Sequence, residues 1–427
     1  MNRLTTRALG ACLFTMAAFT PWAQAADGLT LRQAVDAALG GNPELQTFAF
    51  QFQALDARAR QAALRPAPEL SIDVENVLGT GAVKGTDAAE YTFALSQVIE
   101  LGGKRDARIA AAQASRSTAD LERQARQLDV LAEVTRRFIS VATQQEQLQL
   151  ARKATQLAQR TVNGAQRRVD AAKSPHAELD RARIALDRAK LDERRAETEL
   201  DTARRQLAAT WGESKPVISG RLMGEVQADL FSLPDAGDFE SLSTRLASSP
   251  DFLRFASEAR LRDAELRLAA TTRKPDLTLG GGFRRFQEGG DQGFVASVSI
   301  PLFGSRRAES FIAEAQANRD LVSAEQRVAE VKARAMLYEL HRELSRAVAE
   351  AQSLRTDILP RTEEALRETE YAFDRGRYSY LELVDAQREY LDLQASLIEA
   401  SANAHSLRAE IERLTNAPLA ASTPEPN

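Results

Sequence analysis

The sequence predicts a mainly α-helical protein with a small β part, built from two copies of one structural unit. Each copy has the order helix, strand, strand, very long helix, helix. Landmarks recur in the same order with a nearly constant spacing, which indicates an internally duplicated fold. The recurring pairs are Pro68 to Ile72 with Pro275 to Leu279 (207 apart), Leu101 to Arg105 with Leu302 to Arg306 (201 apart), and Val169-Asp170 with Phe373-Asp374 (204 apart).

The N-terminal residues predict a secretory signal peptide at 1-25. Arg3 and Arg7 precede a short apolar core, and Ala23-Gln24-Ala25 matches an A-x-A cleavage site. We expect a mature chain that begins at Ala26 and carries no lipid on Cys12. Because Cys12 is the only cysteine, the mature chain would contain no disulfide and no reactive thiol.

The mature chain divides into two units and two irregular segments. The predicted first unit spans 26-211, a Pro- and Gly-containing connecting segment spans 212-238, the second unit spans 239-415, and a flexible tail spans 416-427. Four strands are predicted, at about 69-77, 90-100, 276-286 and 293-302. Two helix-turn-helix tips are predicted, one near 170-178 and one near 374-382.

The charge balance excludes one class of partner. The full chain contains 56 basic and 60 acidic side chains and has a formal net charge of −4. Nucleic-acid binding requires a basic face, so no nucleic-acid partner is expected. After the signal peptide, no apolar run of about 18 residues occurs, so no transmembrane helix is expected.

The four predicted strands alternate apolar and polar residues. In the first, Leu70, Ile72 and Val74 alternate with Ser71 and Asp73. This period of two gives each strand one apolar and one polar face. Alternation alone favours a half-buried soluble sheet, yet the strand length also suits a tilted crossing of a bilayer.

The helical segments are unusually long and carry coiled-coil spacing. From Lys104 to about Ala172 the chain contains no proline, so one helix of about 100 Å is predicted. Pro360 interrupts the corresponding helix of the second unit and is expected to kink or break it. Apolar residues at spacings of three and four form seams from Leu179 to Leu207 and from Leu383 to Leu414.

Strands of membrane length that continue into such helices indicate a conduit. Four strands cannot span a membrane alone, because their open edges would leave backbone groups unpaired in lipid. They are also too few for a barrel, since the smallest bacterial barrels have about eight. Several chains are therefore expected to share one barrel that continues as a helical tube.

Two segments carry a resemblance to the TolC-type outer-membrane factors. The segment from Phe373 to Ala386, FDRGRYSYLELVDA, resembles that family's helix-turn-helix tip, in which a glycine is followed by acids six and nine positions later. The first unit departs from this motif, with Ala172 in place of the glycine and Arg181 in place of the second acid. The segment from Leu95 to Arg105, LSQVIELGGKR, looks most like the cobalt–zinc–cadmium efflux branch.

The resemblance implies an assembly and partners. It implies a homotrimer in which three chains form a twelve-stranded barrel in outer-membrane lipid, above twelve periplasmic helices that form a tunnel. It also implies a periplasmic adaptor protein at the helical tips and an inner-membrane resistance-nodulation-division pump. The pump would supply the energy, so this chain would be a passive channel with most of its length in the periplasm.

The resemblance also implies a gate at the tips. Glu382 and Asp385 would ring the tunnel and attract cations, although acids near a helix start more commonly complement the helix dipole. The remaining candidate gate residues are Arg375 and Arg377, which would hold the tip closed or be solvated loop charges, together with Gly376 and Glu178. Gly102, Gly103 and Gly304 are interpreted as turn residues where strand becomes helix.

No catalytic or cofactor site is predicted. His176, His341 and His405 are isolated from one another in the sequence and do not form a metal-binding motif. The resemblance therefore implies an efflux channel for divalent heavy-metal cations, and no cofactor or resident metal is expected. The alternatives are a channel for drugs or other organic solutes and, from other classes, a periplasmic adaptor or a coiled-coil scaffold.

Overall fold

The computed structural model describes residues 28–302 and 304–416. The predicted signal peptide, including Cys12, and all but the first residue of the predicted tail lie outside the described residues. The first half of the chain contains α1 (Leu31–Gly41), α2 (Pro43–Ala62), β1 (Glu69–Glu75), β2 (Glu90–Ile99), α3 (Lys104–Asp170) and α4 (His176–Ala209).

The second half repeats this order after a short connecting hairpin. Its elements are β3 (Val217–Ile218), β4 (Arg221–Leu222), α5 (Phe239–Leu246), α6 (Pro250–Thr271), β5 (Leu277–Phe286), β6 (Gln292–Ser299), α7 (Gly304–Ser353), a π-helical turn (Leu354–Ile358), α8 (Leu359–Asp374) and α9 (Tyr380–Thr415).

The two halves contribute one antiparallel sheet with the order β1-β2-β5-β6. Its apolar side chains align across the strands: Ile72 lies opposite Phe93, Phe93 opposite Phe283, and Phe283 opposite Phe294. Phe93 and Phe283 stack with ring centroids 5.3 Å apart. This row is exposed in the single chain, and Phe294 is 99% exposed. One face of the sheet is therefore a continuous apolar surface without a covering layer from the same chain.

The opposite face of the sheet is polar. Arg284 donates to Thr92 Oγ1 at 2.9 Å and forms ion pairs with Glu90 (2.7 Å) and Glu75 (2.9 Å). A Cβ atom at Gly282 would overlap the backbone of the neighbouring strand, so glycine lets β5 approach β2 closely.

The helices form a layer that extends from one end of the sheet. The 67 residues of α3 make it about 100 Å long. Near the sheet, α3 lies between α2 and α6, and α6 packs on α7; farther away, α3 lies between α4 and α9, and α9 packs on α8. The predicted seams are largely buried, as at Leu186 and Leu207 in α4 and at Tyr390 and Ile411 in α9.

The connecting segment and α1 cover one face of the helical layer. Leu29 pairs with Val226 as an isolated bridge, and the Leu29 amide donates to the Glu225 carbonyl oxygen at 2.8 Å. The Gln145 side chain accepts from the Val226 amide at 2.8 Å. A buried cluster that includes Trp211 and Leu207 fills the space beneath.

The interruption predicted at Pro360 takes the form of a widened helical turn. The π-helical turn ends at Ile358, and Pro360 lies in the first turn of α8. Proline lacks an amide hydrogen and its ring conflicts with the carbonyl four residues earlier, which here belongs to Thr356. The extra residue of the π turn accommodates this conflict, so helical structure continues through the site.

Among the described residues, no helix is both long enough and apolar enough to cross a membrane.

Candidate functional site at the helical tip

Two turns lie at the end of the helical layer farthest from the sheet, and both end a helix in the same way. Gly376 has φ of 76°, and its amide donates to the Phe373 carbonyl while the Arg377 amide donates to that of Ala372. Ala172 has φ of 56°, and the same two bonds form from Ala172 to Val169 and from Lys173 to Arg168. The departure from glycine in the first unit therefore leaves the turn geometry unchanged.

Glu382 caps the start of α9. The Ser379 amide and hydroxyl donate to Glu382 Oε2 at 2.6 and 2.8 Å, and the Glu382 amide donates to Ser379 Oγ at 3.3 Å, which completes a capping box. The hydrogen bond from the Ser379 amide, followed by that from its hydroxyl, lowers the pKa of Glu382. Within one chain, Glu382 therefore stabilises the start of a helix, which is the alternative to a gate role that was considered from the sequence.

The other candidate charges of the second tip are exposed. Asp385 is the sixth residue of α9 and lies in its second turn, three residues after Glu382. The Arg375 guanidinium lies 4.1 Å from the centre of the Tyr371 ring, a cation–π contact. Within the described part of a single chain, neither Arg375 nor Arg377 forms an ion pair with Glu382 or Asp385.

Glu178 lies where the two tips meet. It is the third residue of α4, and its Oε2 atom is buried without a hydrogen-bond partner among the described residues. Burial raises the pKa of Tyr380, at the start of α9, while Arg181 lowers it and Glu178 raises it further. Leu179 and Ala182 on α4 share a buried cluster with Tyr380 on α9, so this part of α4 packs against the start of α9.

An apolar cluster fastens the two helix pairs together just above the turns. We call it the tip cluster, and its buried members are Ala165, Leu179, Ala182, Phe373, Tyr380 and Leu383. A Cβ atom at Gly164 would lie 3.2 Å from Phe373 Cε1, so the missing side chain admits the Phe373 ring. Thr161 and Gln387 form a buried polar pair nearby at 3.1 to 3.2 Å.

Arg168 connects both turns, and sequence reasoning missed it. Its Nε donates to Ser174 Oγ at 3.0 Å, and its Nη1 donates to the carbonyl oxygens of Phe373 (3.3 Å) and Tyr378 (3.2 Å). Its guanidinium also lies 4.7 Å from the centre of the Phe373 ring. The signal available in the sequence was a pair of arginines in the last turn of α3, where cations complement the helix dipole.

The three histidines lie apart from the tip cluster and from one another. His176 is the exposed first residue of α4. His341 Nε2 contacts the Gly237 carbonyl oxygen at 3.0 Å, and His405 Nε2 contacts that of Leu230 at 3.1 Å. Burial lowers the pKa of His405. Both contacts attach the connecting segment to the helical layer.

The strand-to-helix turns lie at the opposite end of the layer. Gly102 and Gly103 have φ of 81° and 73°, a conformation that favours glycine, and Gly103 precedes α3 directly. Gly304 is the first residue of α7. The segment between α6 and β5 lies between these turns, with Lys274 against Gly102 and Arg273 beside Gly304.

Comparisons with known proteins identify the class. The family model described as "Outer membrane efflux protein" matches residues 34–213 and 242–417, so the chain belongs to this family. The chain is 30% identical to the cobalt-zinc-cadmium resistance protein CzcC of Cupriavidus metallidurans over 391 residues, covering 92% of this chain and 91% of that protein.

Solved structures share the fold. The outer membrane channel CmeC of Campylobacter jejuni matches with a TM-score of 0.69 at 16% identity, covering 91% of this chain and 85% of that one. The open state of the MtrE outer membrane channel of Neisseria gonorrhoeae matches with a TM-score of 0.65 at 20% identity, covering 91% and 89%.

Family membership settles the coarse function. The protein is an outer-membrane efflux channel component with a large periplasmic portion. The family consists of passive channels, and the protein is accordingly not an enzyme.

Proposed function

We propose that three copies of this chain close a twelve-stranded barrel and a continuous helical tunnel, and that the assembly exports divalent heavy-metal cations. The tunnel is the passive outer part of a tripartite system. An inner-membrane resistance-nodulation-division pump drives transport, and a periplasmic adaptor protein joins the pump to the helical tips.

The observation that carries the proposal is a pair of open edges. Among the described strands, β1 pairs only with β2, and β6 pairs only with β5. Both outer edges therefore present unpaired backbone groups, which lipid does not tolerate. Joining β6 of one copy to β1 of the next satisfies both edges, and such a head-to-tail contact generates a closed ring. Three copies give twelve strands, within the range of known barrels.

A cross-linking experiment tests the ring. Asp73→Cys in β1 and Ser297→Cys in β6 place one thiol on each edge strand of a mature chain expected to contain no other cysteine. A flexible bis-maleimide should then produce a denaturation-resistant ladder that ends at three chains. Either single variant, the matched control, should give no ladder. Monomers alone, or a ladder that continues past three, would refute the trimeric ring.

The name of the curated relative supports metal cations as the cargo, because CzcC is a cobalt-zinc-cadmium resistance protein with similarity over nearly the whole chain. Deletion of the gene should lower tolerance to zinc, cobalt or cadmium and leave tolerance to a drug panel unchanged. The opposite outcome would establish the alternative, a channel for drugs or other organic solutes.

The tip is the proposed gate. In a ring of three chains, Glu382 and Asp385 would occur three times around the narrow end of the tunnel. Arg375 and Arg377 form no ion pair with those acids within the described part of one chain, and in the proposed ring they would contact the neighbouring copy. Arg168 and the tip cluster fix the two turns of each chain relative to one another, so opening would move each tip as one body.

A further inference from the structure

The chain passes four times between the sheet and the helical layer, and every passage carries basic residues. In the segments 63–69, 99–106, 271–277 and 299–307, seven residues are basic and four are acidic. The basic residues are Arg65, Lys104, Arg105, Arg273, Lys274, Arg306 and Arg307, and the acidic residues are Glu69, Glu100, Asp106 and Asp276.

Two of these basic residues, Lys104 and Arg105, and the nearby Arg108 form bonds that hold the passages together. Lys104 Nζ bonds Asp276 at 2.6 Å, and Arg105 donates to the Ala63 carbonyl oxygen at 2.7 Å. Arg108 forms a two-fold ion pair with Glu100 and donates to the Leu64 carbonyl oxygen at 3.1 Å. These bonds fix the end of α2 and the start of β5 against the start of α3. They bring the first three passages together, and the fourth lies beside the third, where Gly304 is next to Arg273. We call these four passages the rim.

The other five cations project from this rim. We call them the rim cations: Arg65, Arg273, Lys274, Arg306 and Arg307. All five are exposed, and none forms an ion pair within the described part of the chain. The aliphatic part of the Lys274 side chain packs against Gly102, and Arg273 lies beside Gly304. The second, third and fourth passages are therefore in contact with one another.

Exposed apolar side chains lie directly beside the rim cations. Leu64 is 66% exposed, Leu101 42% and Leu302 72%, and they continue the apolar face of the sheet toward the helices. A surface that is apolar on one side and cationic on the other matches the boundary between lipid tails and headgroups.

The far end of the sheet has the opposite charge. Around the two strand-connecting loops, five residues are acidic (Glu75, Asp87, Glu90, Glu288, Asp291) and three are basic (Lys84, Arg284, Arg285). Arg284 is neutralised there by Glu75 and Glu90. Unpaired positive charge is therefore concentrated at the end of the sheet that continues into the helices.

We propose that the rim cations bind anionic phospholipids in the periplasmic leaflet of the outer membrane, and that they recognise the net negative charge of the headgroup. The proposal rests on the barrel described above, which places this rim where that leaflet meets the periplasm. Five cations per chain form a belt around the barrel. The belt holds anionic phospholipids and fixes the depth at which the barrel sits in the membrane.

Native mass spectrometry of the full-length, detergent-purified channel tests the proposal, with phosphatidylglycerol and phosphatidylcholine as probes. The rim variant replaces all five rim cations with glutamine. The matched control replaces one lysine and four arginines that are also exposed and without ion pairs, but lie on the distant helices: Arg188, Lys190, Arg194, Arg342 and Arg361.

Wild type and control should bind phosphatidylglycerol equally, and the rim variant at least about tenfold more weakly, with phosphatidylcholine binding unchanged. Equal binding by the rim variant and the control would overturn the proposal. If the rim variant does not assemble, the salt dependence of lipid binding by the wild-type channel tests the proposal instead. Added salt should weaken phosphatidylglycerol binding but not phosphatidylcholine binding. Equal responses of the two lipids to salt would overturn the proposal. The same spectra report the number of chains, so a wild-type channel that is not trimeric refutes the barrel and not merely the rim.

Discussion

Ala172 is a residue whose backbone conformation could not be predicted from the sequence. The tip motif requires a left-handed residue, and alanine gives no sign of positive φ, so the sequence predicts the position of the first turn but not its backbone geometry. In the structure the turn tolerates alanine at φ of 56°, although a side chain in this conformation costs about 1 kcal/mol. The second unit uses Gly376 at φ of 76° and avoids that cost.

Ala172→Gly should therefore stabilise the first tip turn by about 1 kcal/mol, and Gly376→Ala should destabilise the second by a similar amount. Hydrogen exchange at the Lys173 and Arg377 amides, which close the two turns, measures the effect as an approximately fivefold change in rate. Ala171→Gly is the control, because Ala171 has φ of −84° and gains nothing from glycine. Slower exchange in that control would contradict the explanation.

Arg168 donates hydrogen bonds to acceptors in both turns. No local sequence pattern predicts this, because the two turns lie about 200 residues apart in the chain. Arg168→Gln should accelerate hydrogen exchange in the turn that contains Tyr378, since glutamine cannot reach Ser174 and both carbonyls together. Arg167→Gln is the control. Its ion pair with Asp374 (3.3 Å) is exposed and contributes about 0–1 kcal/mol at most. Equal effects of both variants would remove the special role of Arg168.

His405 makes the attachment of the connecting segment sensitive to pH. Burial holds its folded pKa below 6.5, so stability is full above pH 6.5 and is lost as pH falls toward the folded pKa. His405→Gln can still donate to the Leu230 carbonyl oxygen but does not titrate. The melting temperature of wild type should therefore fall relative to this variant between pH 8 and pH 5, as followed by circular dichroism. A constant difference would exclude this titration.

At the scale of secondary-structure elements, sequence periodicity predicts those helices and strands that depend mainly on local interactions. Alternation in β1 and β2 and the proline-free stretch of α3 are local properties, and both elements follow from them. Pro360 predicts an interruption but not its form, because a π turn depends on how α7 and α8 pack against α9. The order β1-β2-β5-β6 also joins strands about 180 residues apart, which no local pattern specifies.

The two faces of the sheet should respond differently to charge. Ile72 and Leu279 belong to the exposed apolar face, and an arginine near the middle of a lipid-facing surface costs about 2–4 kcal/mol. Ile72→Arg and Leu279→Arg should impair assembly of the membrane-extracted trimer. Ser71→Arg and Thr278→Arg, one residue away on the polar face, are the matched controls and should be milder. Equal tolerance on both faces would show that the strands do not face lipid.

At the scale of the whole molecule, ion pairs between chains would be individually weak but would occur three times in the proposed trimer. Exposed ion pairs contribute about 0–1 kcal/mol each, but in the proposed trimer, if all three chains must open together, three sets of them would add. Within the described part of one chain, Arg375 and Arg377 form no ion pair with Glu382 or Asp385. Apart from the contact of Arg375 with the Tyr371 ring, Arg375→Ser with Arg377→Ser should therefore loosen contacts between chains. In planar bilayers this double variant should raise the resting conductance of the channel.

Glu382→Gln with Asp385→Asn tests the acids of the same gate separately. Glutamine preserves the capping box with Ser379, so the helix start remains and only the charge is lost. Removing six negative charges from a ring of three chains should lower the preference for cations and weaken block by multivalent cations added from the periplasmic side. The helix-start role alone predicts no change in either quantity, because it concerns only atoms within one chain. Unchanged conductance, selectivity and block in both double variants would therefore place the gate elsewhere and leave these residues as ordinary charges at a helix start.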